Sequence, residues 1–75
     1  MSTAERVKKV LVNDIGIKEA EIVPTATLRE QLGVDSTEMV EIIVGLEKEF
    51  SIQISDSKVE KLKTVQDLIN LVGEK

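Results

Sequence analysis

Three stretches of this 75-residue chain space their apolar side chains three and four positions apart, the repeat that gathers them on one face of an α-helix, and a fourth, shorter one reads as a helical turn. In the first, Val7, Val10, Leu11 and Ile15 line up behind Ser2 or Thr3 as N-cap, and Gly16 supplies a left-handed stop. In the second, Val40, Ile43, Leu46 and Phe50 form a stripe that Met39 and Ile42 widen, with Glu38, Glu41 and Glu49 toward the other side. Asp56 to Lys61 reads as a short helical turn with Val59 inward. Thr64 caps the last helix, where Val65, Leu68, Ile69 and Val72 repeat before Gly73 ends it. Such stripes can be buried only against one another. The expectation is an all-α fold, a small four-helix bundle of three main helices and one short one, forming a single domain over residues 1–75.

The connections are uneven. Ile17 to Gly33 contains Pro24 and two threonines, and reads as a long loop that turns Ile17, Ile22, Leu28 and Leu32 inward, with a turn of its own near Thr27 to Leu32. Ser51-Ile52-Gln53-Ile54-Ser55 alternates as a strand does but has no partner run, so it is expected as an extended linker pinning two isoleucines to the core. Asp35 followed three residues on by Glu38 has the spacing of a capping box. Gly45 inside the second helix costs about 1 kcal/mol relative to alanine. Its missing side chain serves close packing at that level, or it is neutral variation; the sequence leaves both open.

What the chain lacks narrows its chemistry. It has no histidine, no cysteine, no tryptophan or tyrosine, and one phenylalanine. No Ser-His or Cys-His pair and no thiolate metal site can be built, and no side chain has an unperturbed pKa near neutrality. A chain this short buries only about 60% of its unfolded surface and has little volume for an enclosed active site. It reads as a non-enzyme. The longest apolar stretch, Ile42 to Leu46, falls far short of the roughly 20 residues that cross a bilayer, and the start has no signal-peptide core. These features predict a cytoplasmic monomer without membrane insertion.

The formal charge of −4 argues against nucleic acid as partner. Its distribution is more telling. Acids and bases balance over residues 1–34, whereas residues 35–60 hold seven acids against Lys48 and Lys58, a net of −5. A solvated helix face is the plain explanation; a surface that steers toward Lys and Arg on partners is the sharper one. At the head of this segment, Gly33-Val34-Asp35-Ser36-Thr37 sets a serine hydroxyl at a helix start, where unpaired N–H groups and the macrodipole favour an anion. No base lies near it in sequence to activate the hydroxyl. Ser36 therefore reads as an acceptor modified by another enzyme.

Taken together, Glu5-Arg6-Val7-Lys8-Lys9-Val10, Leu32-Gly33-Val34-Asp35-Ser36, the helix Val40 to Phe50, Ile54-Ser55-Asp56 and Lys63 to Ile69 resemble an acyl carrier protein over essentially the whole chain. The resemblance implies a covalent 4'-phosphopantetheine arm on Ser36, installed from coenzyme A by a phosphopantetheinyl transferase. Asp35 would help that enzyme and its magnesium ion engage the serine. The arm's thiol would carry acyl groups as thioesters between enzymes of fatty acid or related polyketide and specialised lipid biosynthesis. Thr37, Glu38, Glu41, Val44, Glu47, Lys48, Asp56 and Glu60 would form the face that meets basic patches on acyl-processing partners.

Three departures qualify the match. Thr37 stands where the family usually has leucine, Lys48 interrupts the acids of the second helix, and the last helix lacks an aromatic residue. They point to a specialised carrier with a narrower partner set. An aminoacyl or D-alanyl cargo is the alternative within this class, and the acidic helix favours acyl chains over it. Outside the class stand an unmodified helical interaction module and a small enzyme using Asp35 with Glu38. The last would need a carboxyl taken out of water, and both lie at a polar helix start.

Overall fold

The structure, a computed structural model, describes residues 2–73. Its helices follow the expected order: α1 (Thr3–Val10), α2 (Ser36–Phe50), α3 (Asp56–Val59) and α4 (Val65–Gly73), and the described residues contain no strand. Ser2 is the N-cap of α1, its Oγ accepting from the N–H of Glu5 at 3.1 Å. The first helix does not run on as an α-helix to Ile15. Leu11–Ile15 widens into a π-turn, which Gly16 closes at φ 82°. Glu19–Glu21 adds a 3-10 turn that the sequence pattern did not suggest.

The core is aliphatic. Val7 and Leu11 from the first helical segment, Leu28 from the long loop, Ile42 and Leu46 from α2 and Leu68 from α4 are fully buried and touch one cluster. Phe50 sits only half-buried at the rim. There Arg6 clamps α1 to the end of α2: its Nε pairs with Glu49 at 3.0 Å, its terminal nitrogen donates to the Glu49 carbonyl at 2.6 Å, and its guanidinium lies 4.2 Å from the Phe50 ring centre.

The buried face of α2 is rotated from the expected one. Met39, Ile42, Ile43 and Leu46 point inward, while Val40 is 62% and Val44 41% exposed. Val40 thus leaves the core stripe, while Met39, expected to widen it, is buried in it. Gly45 settles the orientation: a Cβ there would overlap the Asp14 carboxylate and come within 2.8 Å of Val10 Cγ1. The close-packing explanation of this glycine holds, because the π-turn rests directly on α2 at that level.

The long loop is fastened by its backbone to the start of α4. Leu28 N–H donates to Lys63 O at 2.8 Å, Val65 N–H to Ala26 O at 3.1 Å and Gln66 N–H to Pro24 O at 2.9 Å, around a bridge between Thr27 and Thr64. Thr27 and Gln31 cap the expected turn reciprocally. The same device opens α4. Thr64 Oγ1 accepts from Asp67 N–H, and Asp67 Oδ2 accepts from the N–H groups of Lys63 and Thr64 at 2.9 and 3.0 Å. These donors hold the Asp67 carboxyl below its ordinary pKa, since they favour the charged form. At the end of α2, Ser51 takes a left-handed conformation, φ 54°, and Ile54 beyond it is buried as expected.

Candidate functional site

The start of α2 is positioned from both sides. Val34 is buried and anchors the approach, and Gly33 turns the chain at φ 69°. Asp35 then adopts an extended conformation as N-cap. Its Oδ1 accepts from Glu38 N–H at 2.8 Å while Glu38 Oε1 accepts from Asp35 N–H at 3.2 Å, completing the capping box. Because Asp35 does the capping, Ser36 does not. Among the described residues the Ser36 hydroxyl has no hydrogen-bond partner, and the side chain is exposed. The N–H groups of Ser36 and Thr37, in the first turn, likewise have no acceptor within the described residues.

The seven acids of residues 35–60 divide by what they touch. Asp35 and Glu38 serve the cap. Glu47, half-buried, turns inward to accept from Ile54 N–H at 2.9 Å, tying the extended linker to α2. Glu49 pairs with Arg6. The carboxylates of Glu41, Asp56 and Glu60 are exposed and make no hydrogen bond or ion pair among the described residues, and Lys48 and Thr37 are exposed as well. The expected docking residues lie on α2 and on or beside α3, and Glu38 and Glu47 have structural work there. The work of Glu38 follows from its spacing to Asp35, whereas that of Glu47 depends on the chain turning back beyond α2, which spacing does not reveal.

Two depressions adjoin these helices. A cleft of about 370 Å³ lies between α2 and α3, with Met39, Val59 and Leu62 as apolar lining and Thr27, Arg29, Glu30, Glu60 and Lys63 around it. Met39 is three residues from Ser36, so the cleft opens one helical turn along. Sequence reading placed such residues in the core or a loop and missed the opening between them. A wider groove of about 640 Å³ runs past Val44, Glu47, Lys48 and Ile52–Ser55. No helix among the described residues is long and apolar enough to cross a membrane.

A helix start offering a free serine hydroxyl and two free N–H groups suits a phosphodiester, whose charge the N–H groups and the helix dipole would meet. The sequence model of one protein family, described as "phosphopantetheine attachment site", matches residues 5–72, and the chain belongs to that family. Its domains are carriers and not catalysts, their prosthetic group is 4'-phosphopantetheine held covalently on a serine, and they work with phosphopantetheinyl transferases and processing enzymes.

Proposed function

We propose that Ser36 is the attachment point and that the protein carries acyl groups between cytoplasmic enzymes of fatty acid or related polyketide and specialised lipid biosynthesis. The observation that carries this reading is the division of labour at the α2 start, where Asp35 and Glu38 cap the helix and leave the Ser36 hydroxyl exposed. When bound, the arm supplies a thiol that holds the acyl group as a thioester. Around it, the chain's residues position and shield. The N–H groups of Ser36 and Thr37, without an internal acceptor, would meet the phosphate, and Asp35 would offer Oδ2 to the transferase's magnesium ion while Oδ1 holds Glu38 N–H. The cleft beside Met39, Val59 and Leu62, within the roughly 300–1,000 Å³ of small-molecule sites, suits an apolar chain more than an aminoacyl or D-alanyl group. Glu41, Asp56 and Glu60 are the acids left for basic partner patches.

Incubation with coenzyme A and a phosphopantetheinyl transferase is expected to raise the intact mass by one phosphopantetheine, and Ser36→Ala to abolish the gain. Modification that persists in Ser36→Ala, or a wild-type protein left unmodified by several unrelated transferases, would sink the assignment.

A further inference from the structure

The run Glu47-Lys48-Glu49 is anionic as written but not on the outer face of α2. Glu47 Oε2 is committed to Ile54 N–H and Glu49 Oε2 to Arg6 Nε, so both carboxylates have intramolecular partners. Lys48, between them, is exposed, and no carboxylate among the described residues lies within ion-pairing distance of its ammonium. Asp14 borders the shallow groove on its other side without pairing to it. Among the residues of α2 itself, the uncommitted charge at the C-terminal end of this face is therefore positive.

Seven residues earlier stands Glu41, exposed and unpaired. Seven residues make two turns less about 20°, so Glu41 and Lys48 share one face, separated by about 10 Å along the axis. Val40 and Val44, the exposed valines of α2, lie between and beside them. From Ser36 outward the face reads Val40, the acid Glu41, Val44 and the base Lys48.

We propose that this stripe is a dipolar docking surface that selects partner enzymes by charge order. The partner it fits places a Lys or Arg against Glu41, an apolar side chain over Val40 and Val44, and an Asp or Glu against Lys48. A uniformly basic surface meets Lys48 with like charge and is disfavoured, so the lysine excludes some partners as well as favouring others. The proposal takes from the carrier reading only that partner enzymes exist.

Two stapled helical peptides test it, each with an apolar residue midway between two charges two turns apart. One carries Lys and Glu, the other Lys and Lys, with net charge equalised at a remote position. Titration into the full-length unmodified protein, following the amides of Val40 and Val44 by NMR, is expected to show the Lys/Glu peptide binding about fivefold tighter, the upper range for one exposed pair. Lys48→Glu should invert that preference and Lys48→Gln erase it. Equal or tighter binding of the Lys/Lys peptide to wild type, a preference unchanged in Lys48→Glu, or no shift at either valine overturns the proposal. Ser36 modification is read separately by mass, so either result stands without the other.

Discussion

Glu47 and Glu41 are both acids on α2 of the same −5 segment, and the structure assigns them opposite consequences when removed. Glu47→Ala deletes a hydrogen bond between a carboxylate and the partly buried N–H of Ile54, 2.9 Å long, and leaves that N–H without its acceptor. Hydrogen bonds to charged groups contribute about 1.5–3 kcal/mol, so the loss should be about 2 kcal/mol. For a domain of this size 1 kcal/mol moves Tm by about 4–8 °C, which puts the expected fall near 12 °C. Glu47→Gln keeps an acceptor oxygen but not its charge and should lose about half as much. Glu41→Ala removes an exposed side chain with no internal partner and should stay within about 0.5 kcal/mol of wild type. Thermal and urea unfolding followed by far-ultraviolet circular dichroism measures all three. Equal Tm values for Glu47→Ala and Glu41→Ala would refute the division of the acids by internal contact, and with it the view of Lys48 as the free charge of its run.

Two further outcomes follow from single contacts. Arg6→Lys should cost about 1 kcal/mol in urea denaturation, because an ammonium cannot pair with Glu49, reach its carbonyl and cover the Phe50 ring at once; a variant as stable as wild type would remove the clamp from the account. For Asp67, the lowered pKa in the folded state means that its contribution to stability is present above the ordinary carboxylate value near 4 and is lost as pH falls through the folded value. Asp67→Asn should therefore be less stable than wild type by about 1 kcal/mol at pH 7, with the gap closing in strong acid; a gap of constant size from pH 7 to pH 2.5 would count against it.

The order of helices was legible because each stripe has caps and stops that agree with it: Ser2 and Gly16, Asp35 with Glu38, Thr64. The orientation of α2 was less so. From Met39 to Leu46 only Glu41 and Gly45 interrupt the apolar residues, so period alone admits two overlapping faces, and the choice falls to packing against Val10 and Asp14. The π-turn was hidden for a similar reason, since Leu11 to Ile15 contains nothing that forbids an α-helix. Ser51 carries no signal of its left-handed conformation either, because serine is not a residue that position normally calls for. The Asp35-Ser36 site was readable as a motif. The capping role of Glu38 was readable too, from its spacing to Asp35, whereas the exposure of the hydroxyl, the commitment of Glu47 to Ile54 and the cleft lined by Met39, Val59 and Leu62 came only with the fold.

The widened turn at Leu11–Ile15 also makes the chain unequally tolerant of changes in length. A π-turn holds about one residue more than an α-turn, and this one ends at a glycine that leads into a loop. Deleting exposed Asn13 would let the segment relax to α-helical winding, with the slack taken up beyond Gly16. The same deletion within α2 would swing everything after it by about 100°, carrying Leu46 out of the core and the Arg6 clamp out of register. Insertions and deletions are thus absorbed on the side of the molecule away from Ser36 and are ruinous along the helix that begins there.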